Sequence, residues 1–285
     1  MRAMDQATAY VATAAKSMAQ DLFWPGVFFF GLALAAGGSV ALSKARKASG
    51  EVTTNLKLYV FDFIAVSPAL ALLAGAMGNW IETHNAVLLH PSDWARAPAW
   101  LTLFAALFAG DCIGYWRHRL EHAPWLWPTH SIHHSVTAMT WTTLARFHPL
   151  NRLTTTLIDG AALSLFGFPP WAVIANALAR HYYGMFIHMD LPWTYGPLSR
   201  VFVSPAMHRW HHVREGPGVG ANFATLFSVF DQAFGTYYAP GPCTAPLGVP
   251  EPMARGVLGQ LLWPFQAMVR SLRRALTPRA YARNP

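Results

Sequence analysis

The chain has 285 residues, of which 53% are hydrophobic and only 12% are charged, and its formal net charge is +8 at pH 7. Because an ordinary globular protein carries about 25% charged residues, this composition is typical of an integral membrane protein and excludes an ordinary soluble domain. The positive charge does not indicate nucleic-acid binding, since no lysine and arginine patch alternates with aromatic residues on a soluble scaffold.

Three apolar segments in the first half of the chain are long enough to cross a membrane. About 20 helical residues span a hydrocarbon core of about 30 Å. The segments are residues 22–42, 58–80 and 97–116. Pro68 predicts a kink in the second segment, because proline lacks the backbone donor that a helix needs. A cleaved signal peptide is the alternative for the first segment, but the long polar lead-in and the basic residues at 44–47 favour a retained helix.

The charges of the connecting loops predict the orientation of the protein. Basic residues concentrate in loop 44–57, whereas loop 81–96 is mainly acidic. The positive-inside rule then places loop 44–57 in the cytoplasm. The third segment runs inward and delivers His118, with everything that follows, to the cytoplasmic face.

The apolar stretch 153–179 is interrupted by Pro169-Pro170 and gives two halves too short to span the membrane. We expect a re-entrant helical hairpin that dips into the membrane and returns. A full span here would leave the last histidine cluster across the membrane from the first two. Residues 241–285 form a basic tail. Within this tail, the pattern of apolar and basic residues over 254–275 predicts an amphipathic helix that lies at the membrane interface.

Together these elements predict an all-α integral membrane protein with about three spanning helices, a re-entrant hairpin and a cytoplasmic, histidine-rich helical cap. We divide the chain into membrane helices over 1–116, a catalytic region over 117–240 and the tail over 241–285. The three parts are expected to form a single structural unit.

Eight of the thirteen histidines form three clusters between residues 118 and 212. The clusters read His118-x3-His122, His130-x2-His133-His134 and His208-x2-His211-His212. Each cluster holds two histidines four residues apart, which project from the same side of a helix. Buried imidazoles without partners are costly, so the pattern indicates a site for two metal ions. Neutral imidazole suits iron, copper, zinc or nickel.

Several metal-binding motifs are absent from the sequence, which argues against the kinds of metal site that depend on them. The clustered region has no Glu-x-x-His pair of the kind found in soluble di-iron bundles, and its acidic residues, Glu121 and Asp159 among them, are scattered. There is no His-Glu-x-x-His motif of zinc peptidases. The two cysteines, Cys112 and Cys243, form no CxxC motif, which argues against thiolate zinc and ordinary iron–sulfur sites. A nitrogen-rich site for two metals remains.

The stretches around the clusters resemble the histidine boxes of the fatty acid hydroxylase/sterol desaturase superfamily. They read Asp111-Cys-Ile-Gly-Tyr-Trp-Arg-His-Arg-Leu-Glu-His122, Leu126-Trp-Pro-Thr-His-Ser-Ile-His-His-Ser135 and Val203-Ser-Pro-Ala-Met-His-Arg-Trp-His-His212. Asn222-Phe-Ala-Thr-Leu and Phe230-Asp-Gln-Ala-Phe-Gly-Thr236 also fit, so that the resemblance covers about residues 105–238. It implies a membrane enzyme with two non-haem iron ions that uses O2 to hydroxylate or desaturate lipid-like substrates.

The resemblance also implies which residues form the site. The eight clustered histidines match the family's ligands, and His188 and His148 are added to that set. Four further residues are expected just behind the ligands: Asp111, His181, Asn222 and Asp231. Asp111 lies two turns before His118 on one helix face, where its carboxylate could orient an imidazole or bond to a neighbouring helix. His181 could instead cap the hairpin.

The electrons for O2 reduction are expected from a separate ferredoxin or cytochrome/reductase, because the chain has no Gly-x-Gly-x-x-Gly motif for a nicotinamide or flavin fold. Two alternatives remain open from the sequence. Zinc in the same histidine cage would give a membrane hydrolase or isomerase. A metal transporter fits less well, because transport ligands should line the spanning helices.

Overall fold

The computed structural model describes residues 2–253 and 256–276. Within these ranges the chain forms helices and loops, and its β-type pairing consists of two isolated bridges, Phe202–Phe227 and Val213–Leu247. The predicted all-α class is therefore confirmed. Residues 254, 255 and 277–285 of the predicted tail lie outside the described residues.

The N-terminal half is built from long helices. They are α1 (Arg2–Gly37), α2 (Ser39–Lys47), α3 (Ser49–Phe61), α4 (Ser67–Thr83), α5 (Pro91–Ala95) and α6 (Ala99–Glu121). A π-helical turn, Asp62–Val66, joins α3 to α4. Three helical stretches are long and apolar enough to cross a membrane, namely Lys16–Gly37, Ser49–Thr83 and Ala99–Glu121. The expected number of spans is confirmed, and the protein is an integral membrane protein.

The spans differ in detail from the expected ones. The first ends at Gly37 rather than at residue 42, because Gly38 adopts a φ of 54° and breaks the helix before α2. The second accommodates Pro68 through the π-helical turn just before it, since a wider turn relieves the missing N–H of proline. The third continues five residues beyond Trp116, so that α6 itself carries His118 near its C-terminal end.

The C-terminal half consists of shorter helices and ordered loops. The α-helices are α7 (Trp127–His134), α8 (Pro149–Thr155), α9 (Ala161–Leu165), α10 (Pro170–Ile187), α11 (Pro205–His211), α12 (Val229–Ala233) and α13 (Gly256–Leu276). Two 3-10 helices, Trp141–Ala145 and Gly196–Arg200, and a π-helical turn, Thr156–Gly160, lie between them.

Helices α8, α9 and α10 cover the stretch where the sequence predicts a re-entrant hairpin, and a turn separates α9 from α10. The turn passes through Gly167 at a φ of 63°, and a Cβ there would collide with the Leu89 carbonyl oxygen. Helix α10 lies close against α6, because Gly110 and Gly114 of α6 leave room for the side chains of Asn176 and Arg180 of α10. Entry of this hairpin into the membrane stays a prediction.

The main apolar core lies where α6, α10 and α11 meet the loop that follows α11. Its buried side chains include Tyr115 from α6, Ile187 from α10, Met207 from α11 and Phe223 from the loop. This packing fixes the relative positions of α6 and α11, which carry the first and the third histidine cluster. The core thus directly supports the candidate site.

Candidate metal centre

The histidine clusters lie at the C-terminal end of α6, on α7 and on α11. Both short helices have a proline in their first turn, Pro128 in α7 and Pro205 in α11, where the missing N–H is one that a helix leaves unpaired anyway. The Ser204 hydroxyl caps α11 by accepting a backbone N–H at 3.1 Å. The prolines and the serine cap fix the residue at which each helix begins. The starting residue in turn determines the side of the helix from which its histidines project.

The rings form two adjoining groups. In each group every histidine offers one nitrogen, and these nitrogens lie within 4.8 Å of one another. The first group is His118, His122, His130, His134 and His211, and the second is His133, His188, His208 and His212. The rings of His134 and His212 stack with centroids 4.3 Å apart, so the groups are direct neighbours. The structure therefore brings all eight clustered histidines together with His188.

Backbone carbonyls set the protonation of several rings. The Nδ1 atoms of His118, His211 and His188 lie 2.8, 2.6 and 2.6 Å from the carbonyl oxygens of Phe223, Ala221 and Gly184. A carbonyl oxygen only accepts, so each Nδ1 carries the proton and donates it. In the neutral ring the Nε2 atom is then an unprotonated acceptor, which is the form that binds a metal.

The Nε2 atoms of several rings in each group face one another at short distances. In the first group, Nε2 of His118 lies 3.0 Å from Nε2 of His211. In the second group, Nε2 of His188 lies 3.1 Å from Nε2 of His133 and 3.0 Å from Nε2 of His208. In the His118–His211 pair both Nδ1 atoms carry the proton, so the two Nε2 lone pairs repel each other, and a cation between them removes the repulsion. The geometry of both groups therefore fits a bound metal ion.

Other ring nitrogens are buried without any hydrogen bond. Nε2 of His122, Nε2 of His134 and both ring nitrogens of His212 have no partner among the described residues. An unsatisfied buried polar atom costs about 1–3 kcal/mol, so several in one place require compensation. Metal coordination supplies it, and an all-nitrogen donor set suits iron, copper, zinc or nickel.

Burial keeps the rings neutral. Desolvation lowers the pKa of His188 and of His211 to about 4. The hydrogen bond from each ring to a backbone carbonyl raises the pKa, but its effect is smaller. Burial, with neighbouring rings, also lowers the pKa of His134 and His212 well below the usual value of 6.5. Neutral imidazoles bind a metal ion without first losing a proton.

A buried ion network, which the sequence did not reveal, supports the first group. The Glu121 carboxylate accepts from Arg117 at 3.0 Å and from the Thr154 hydroxyl at 2.6 Å, and it lies 3.4 Å from Nδ1 of His130. Arg117 also donates to Asp159 at 2.8 Å. The one sequence signal was the spacing of Arg117 and Glu121, four residues apart on α6. Asp159 is distant in sequence and could not be paired in advance.

The structure places Asp111 against a backbone loop. Its carboxylate accepts the N–H groups of Thr225, Leu226 and Phe227 at 3.1, 3.0 and 2.7 Å, with Arg180 at 3.7 Å. Asp111 thus holds the loop that supplies the carbonyl for His118, instead of contacting an imidazole itself.

Asn222 and Asp231 hold the other part of the same loop. Asn222 has a φ of 60°, and its amide donates to the Met207 carbonyl at 2.9 Å. Asp231 accepts from the N–H groups of Phe223 and Ala224 at 2.7 and 3.1 Å, and burial raises its pKa to about 6. Both residues hold the loop whose carbonyls lie against the rings of His118 and His211.

Two predicted site histidines lie outside both groups. Nδ1 of His148 accepts the N–H of Leu150 at 3.2 Å and caps α8, while its Nε2 donates to the Leu261 carbonyl at 3.1 Å. His148 therefore joins α8 to α13 in this structure. His181 is exposed on α10 beside Tyr182.

A second buried network anchors the segment after α7. The Glu51 carboxylate of α3 accepts the N–H and the hydroxyl of Thr137, each at 3.0 Å, and pairs with Arg146 at 2.5 Å. Arg146 also donates to Asn55 at 2.7 Å and to the Ser135 hydroxyl at 3.2 Å. The second spanning helix is thereby tied to the residue that follows His134.

Comparison with known proteins agrees with this geometry. The profile of the fatty acid hydroxylase family matches residues 103–236, close to the stretch over which the sequence resembles that superfamily. An ornithine lipid hydroxylase from Rhizobium tropici is 31% identical over 177 residues, which are 61% of this chain and 53% of the relative. Human alkylglycerol monooxygenase is 30% identical over 48% of this chain and 31% of its own length.

A sterol desaturase, the Delta(7)-sterol 5(6)-desaturase from Aspergillus fumigatus, is 31% identical over 52% of each chain. The chain thus spans about half the length of two of these relatives and about a third of the third. No solved structure matches the chain.

Proposed function

Because residues 103–236 match the profile of the fatty acid hydroxylase family, we propose that the chain is a membrane-bound di-iron oxygenase that uses O2 and external electrons to hydroxylate a lipid-like substrate. Desaturation of such a substrate is the second possible outcome, since one relative is a sterol desaturase. The observation that carries the proposal is the pair of adjoining groups of imidazole nitrogens. The zinc alternative is not favoured, because the relatives are named as a hydroxylase, a monooxygenase and a desaturase.

Each group would hold one iron ion. The first ion would be bound by nitrogens from His118, His122, His130, His134 and His211, and the second by those of His133, His188, His208 and His212. We leave His148 out of this set, because both of its ring nitrogens are engaged with backbone groups. Iron would supply the reduction of O2 and the oxidation of an unactivated C–H bond, which no side chain can perform.

The protein's own residues orient the rings and exclude water. The carbonyls of Phe223, Ala221 and Gly184 fix three rings, and pre-oriented ligands need no rearrangement when the metal enters. Burial of the second group keeps the site dry, which protects a reactive oxidant from side reactions. Positioning of the substrate chain next to the ions then decides whether one hydrogen or two adjacent hydrogens are removed.

The substrate class follows from the membrane setting and from the relatives. The relatives are named for an ornithine lipid, an alkylglycerol and a sterol. We propose an amphiphilic lipid with a long alkyl portion, which would enter from the bilayer. The site would lie on the cytoplasmic side, as loop 44–57 predicts, and the hairpin built from α8, α9 and α10 would dip into the membrane. A separate ferredoxin or cytochrome/reductase would deliver the electrons.

The proposal is tested by metal analysis of the detergent-purified protein. We expect about two iron ions per chain and reductant-dependent O2 uptake, both falling sharply in His133→Ala and in His211→Ala, which each remove one ligand from a different group. His181→Ala is the matched control, because this histidine is exposed and lies outside both groups.

Iron that stays bound in both ligand variants would refute the ligand assignment. Wild-type protein that retains zinc and consumes no O2 after reconstitution with iron and a reductant would refute the oxygenase. Products of O2-dependent turnover with lipid extracts, identified by mass spectrometry, separate hydroxylation from desaturation, since one adds an oxygen atom and the other removes two hydrogens.

A further inference from the structure

Helix α13 has one face buried against the metal-bearing part of the protein. Gln260 and Trp263 are 5% and 6% exposed, and the Trp263 indole N–H donates to the Ser131 hydroxyl at 3.1 Å. Ser131 lies between His130 and His133 on α7. The Leu261 carbonyl accepts from His148 at 3.1 Å. This face of α13 is therefore packed against other parts of the chain.

The opposite face of α13 is apolar and exposed. Leu258, Leu262, Phe265 and Val269 are 70, 44, 50 and 44% exposed. They follow one another at intervals of four, three and four residues, which places them on a single stripe of the helix. At 100° per residue the stripe points away from Gln260. A contiguous apolar stripe at the surface marks a binding surface, because water contact with it is unfavourable.

Positive charge flanks the stripe. A groove of about 420 Å³ is lined by Leu262, Phe265, Gln266, Val269, Arg270 and Arg273. The Arg270 guanidinium lies 4.4 Å from the centroid of the Trp263 ring, which holds it beside the groove. The described residues of α13 include no acidic side chain. The groove therefore combines an apolar wall with cationic groups and suits an amphiphile with an anionic head.

We infer that this face of α13, the stripe with Arg270 and Arg273, binds anionic phospholipid at the membrane surface. Two features favour a bilayer over a second protein as the occupant. Apolar side chains flanked by arginine match the pattern of helices that lie in the interface of anionic membranes. The helix also packs against α3, which forms the first part of the spanning stretch Ser49–Thr83, so the stripe lies beside a segment that enters the bilayer.

Lipid binding at this face has a consequence for the metal centre. Because the buried face of α13 contacts α7 through Trp263 and Ser131, a helix held on the membrane surface braces the helix that bears His130, His133 and His134. The inference concerns membrane contact and does not depend on the proposed reaction.

The inference is tested by hydrogen–deuterium exchange of the full chain in nanodiscs, with phosphatidylcholine alone or with added phosphatidylglycerol. We expect the backbone amides of residues 256–276 to exchange on the order of tenfold more slowly in the anionic discs, because the attraction of two arginines to an anionic surface stabilises the bound helix. The Arg270→Gln/Arg273→Gln variant should lose this difference. The matched variant Arg200→Gln/Arg214→Gln removes the same charge from exposed positions outside α13 and should keep the difference.

A second variant, Leu262→Glu/Phe265→Glu, places charge on the apolar stripe. We expect the amides of α13 to exchange faster in this variant in both kinds of disc. Equal exchange of the wild type in the two discs, or a difference that survives the Arg270→Gln/Arg273→Gln substitution, would overturn the inference. Protection that depends on protein concentration instead of lipid charge would assign the stripe to a second copy of the chain and would also overturn it.

Discussion

Replacement of Glu121 by glutamine should weaken metal binding in one group and leave the other intact. The Glu121 carboxylate is fully buried and lies 3.4 Å from Nδ1 of His130. Glutamine has nearly the same shape and can still accept from Thr154, but it loses the negative charge that faces Arg117 and His130. Loss of a group that orients a ligand histidine typically costs 10–100-fold in metal affinity or activity.

The same substitution also disturbs the ion network, which must be separated from the metal effect. Breaking a buried ion pair typically costs about 3–5 kcal/mol. Asp159→Asn is the matched control, because Asp159 also pairs with Arg117, at 2.8 Å, and lies outside both histidine groups. We therefore expect both variants to unfold at a lower temperature, and only Glu121→Gln to bind the first metal ion about 10–100-fold more weakly.

The assay is an anaerobic titration of ferrous iron against a competing chelator, which resolves two binding steps, together with thermal unfolding of each variant in the same detergent. If the Glu121→Gln and Asp159→Asn variants lose iron affinity equally, Glu121 acts only through the fold. If neither variant changes the first binding step while both lower the unfolding temperature, the 3.4 Å approach to His130 has no role in holding the metal.

Three further predictions concern stability. Arg146→Met leaves the Glu51 carboxylate, whose side chain is 20% exposed, without its cation and should lower the free energy of unfolding by about 2 kcal/mol, read from denaturation; an unchanged value refutes the network. Because burial holds the pKa of His188 and His211 near 4, metal-free protein should lose up to about 3 kcal/mol per histidine as pH falls from 6.5 to 4, and flat stability there contradicts it. Gly114→Ala should lower the unfolding temperature, whereas Gly75→Ala, which has open space around it, should not.

Periodicity and length alone determined the membrane character and the number of spans. An apolar helix of about 20 residues has few alternatives to crossing a bilayer, so the three spans could be predicted, although the second begins nine residues earlier, at Ser49, than the sequence indicated. Helix ends were less predictable, because they depend on local backbone geometry such as the positive φ of Gly38. The histidine clusters were equally readable, since imidazoles repeated at helical spacing have no common structural use.

The tertiary structure alone decided which histidines share a group. His133 and His134 are adjacent in sequence, yet they belong to different groups, because neighbouring helical residues project about 100° apart. The same geometry separates His211 from His212. His148 shows the converse: its sequence position resembled that of a ligand, but the packing of α13 brings the Leu261 carbonyl to its Nε2.

Long-range packing also decided what surrounds the ligands. Glu121 and Asp159 looked like scattered acids along the sequence, and Asp111 was expected beside an imidazole. The approach of α8, α10 and the loop after α11 gives these carboxylates their long-range partners. The chain sequence thus determined the kind of chemistry, because donor atoms are a property of residue type. The division into two metal sites and the carbonyls that orient the rings depend on contacts between residues about 100 positions apart, which local patterns do not encode.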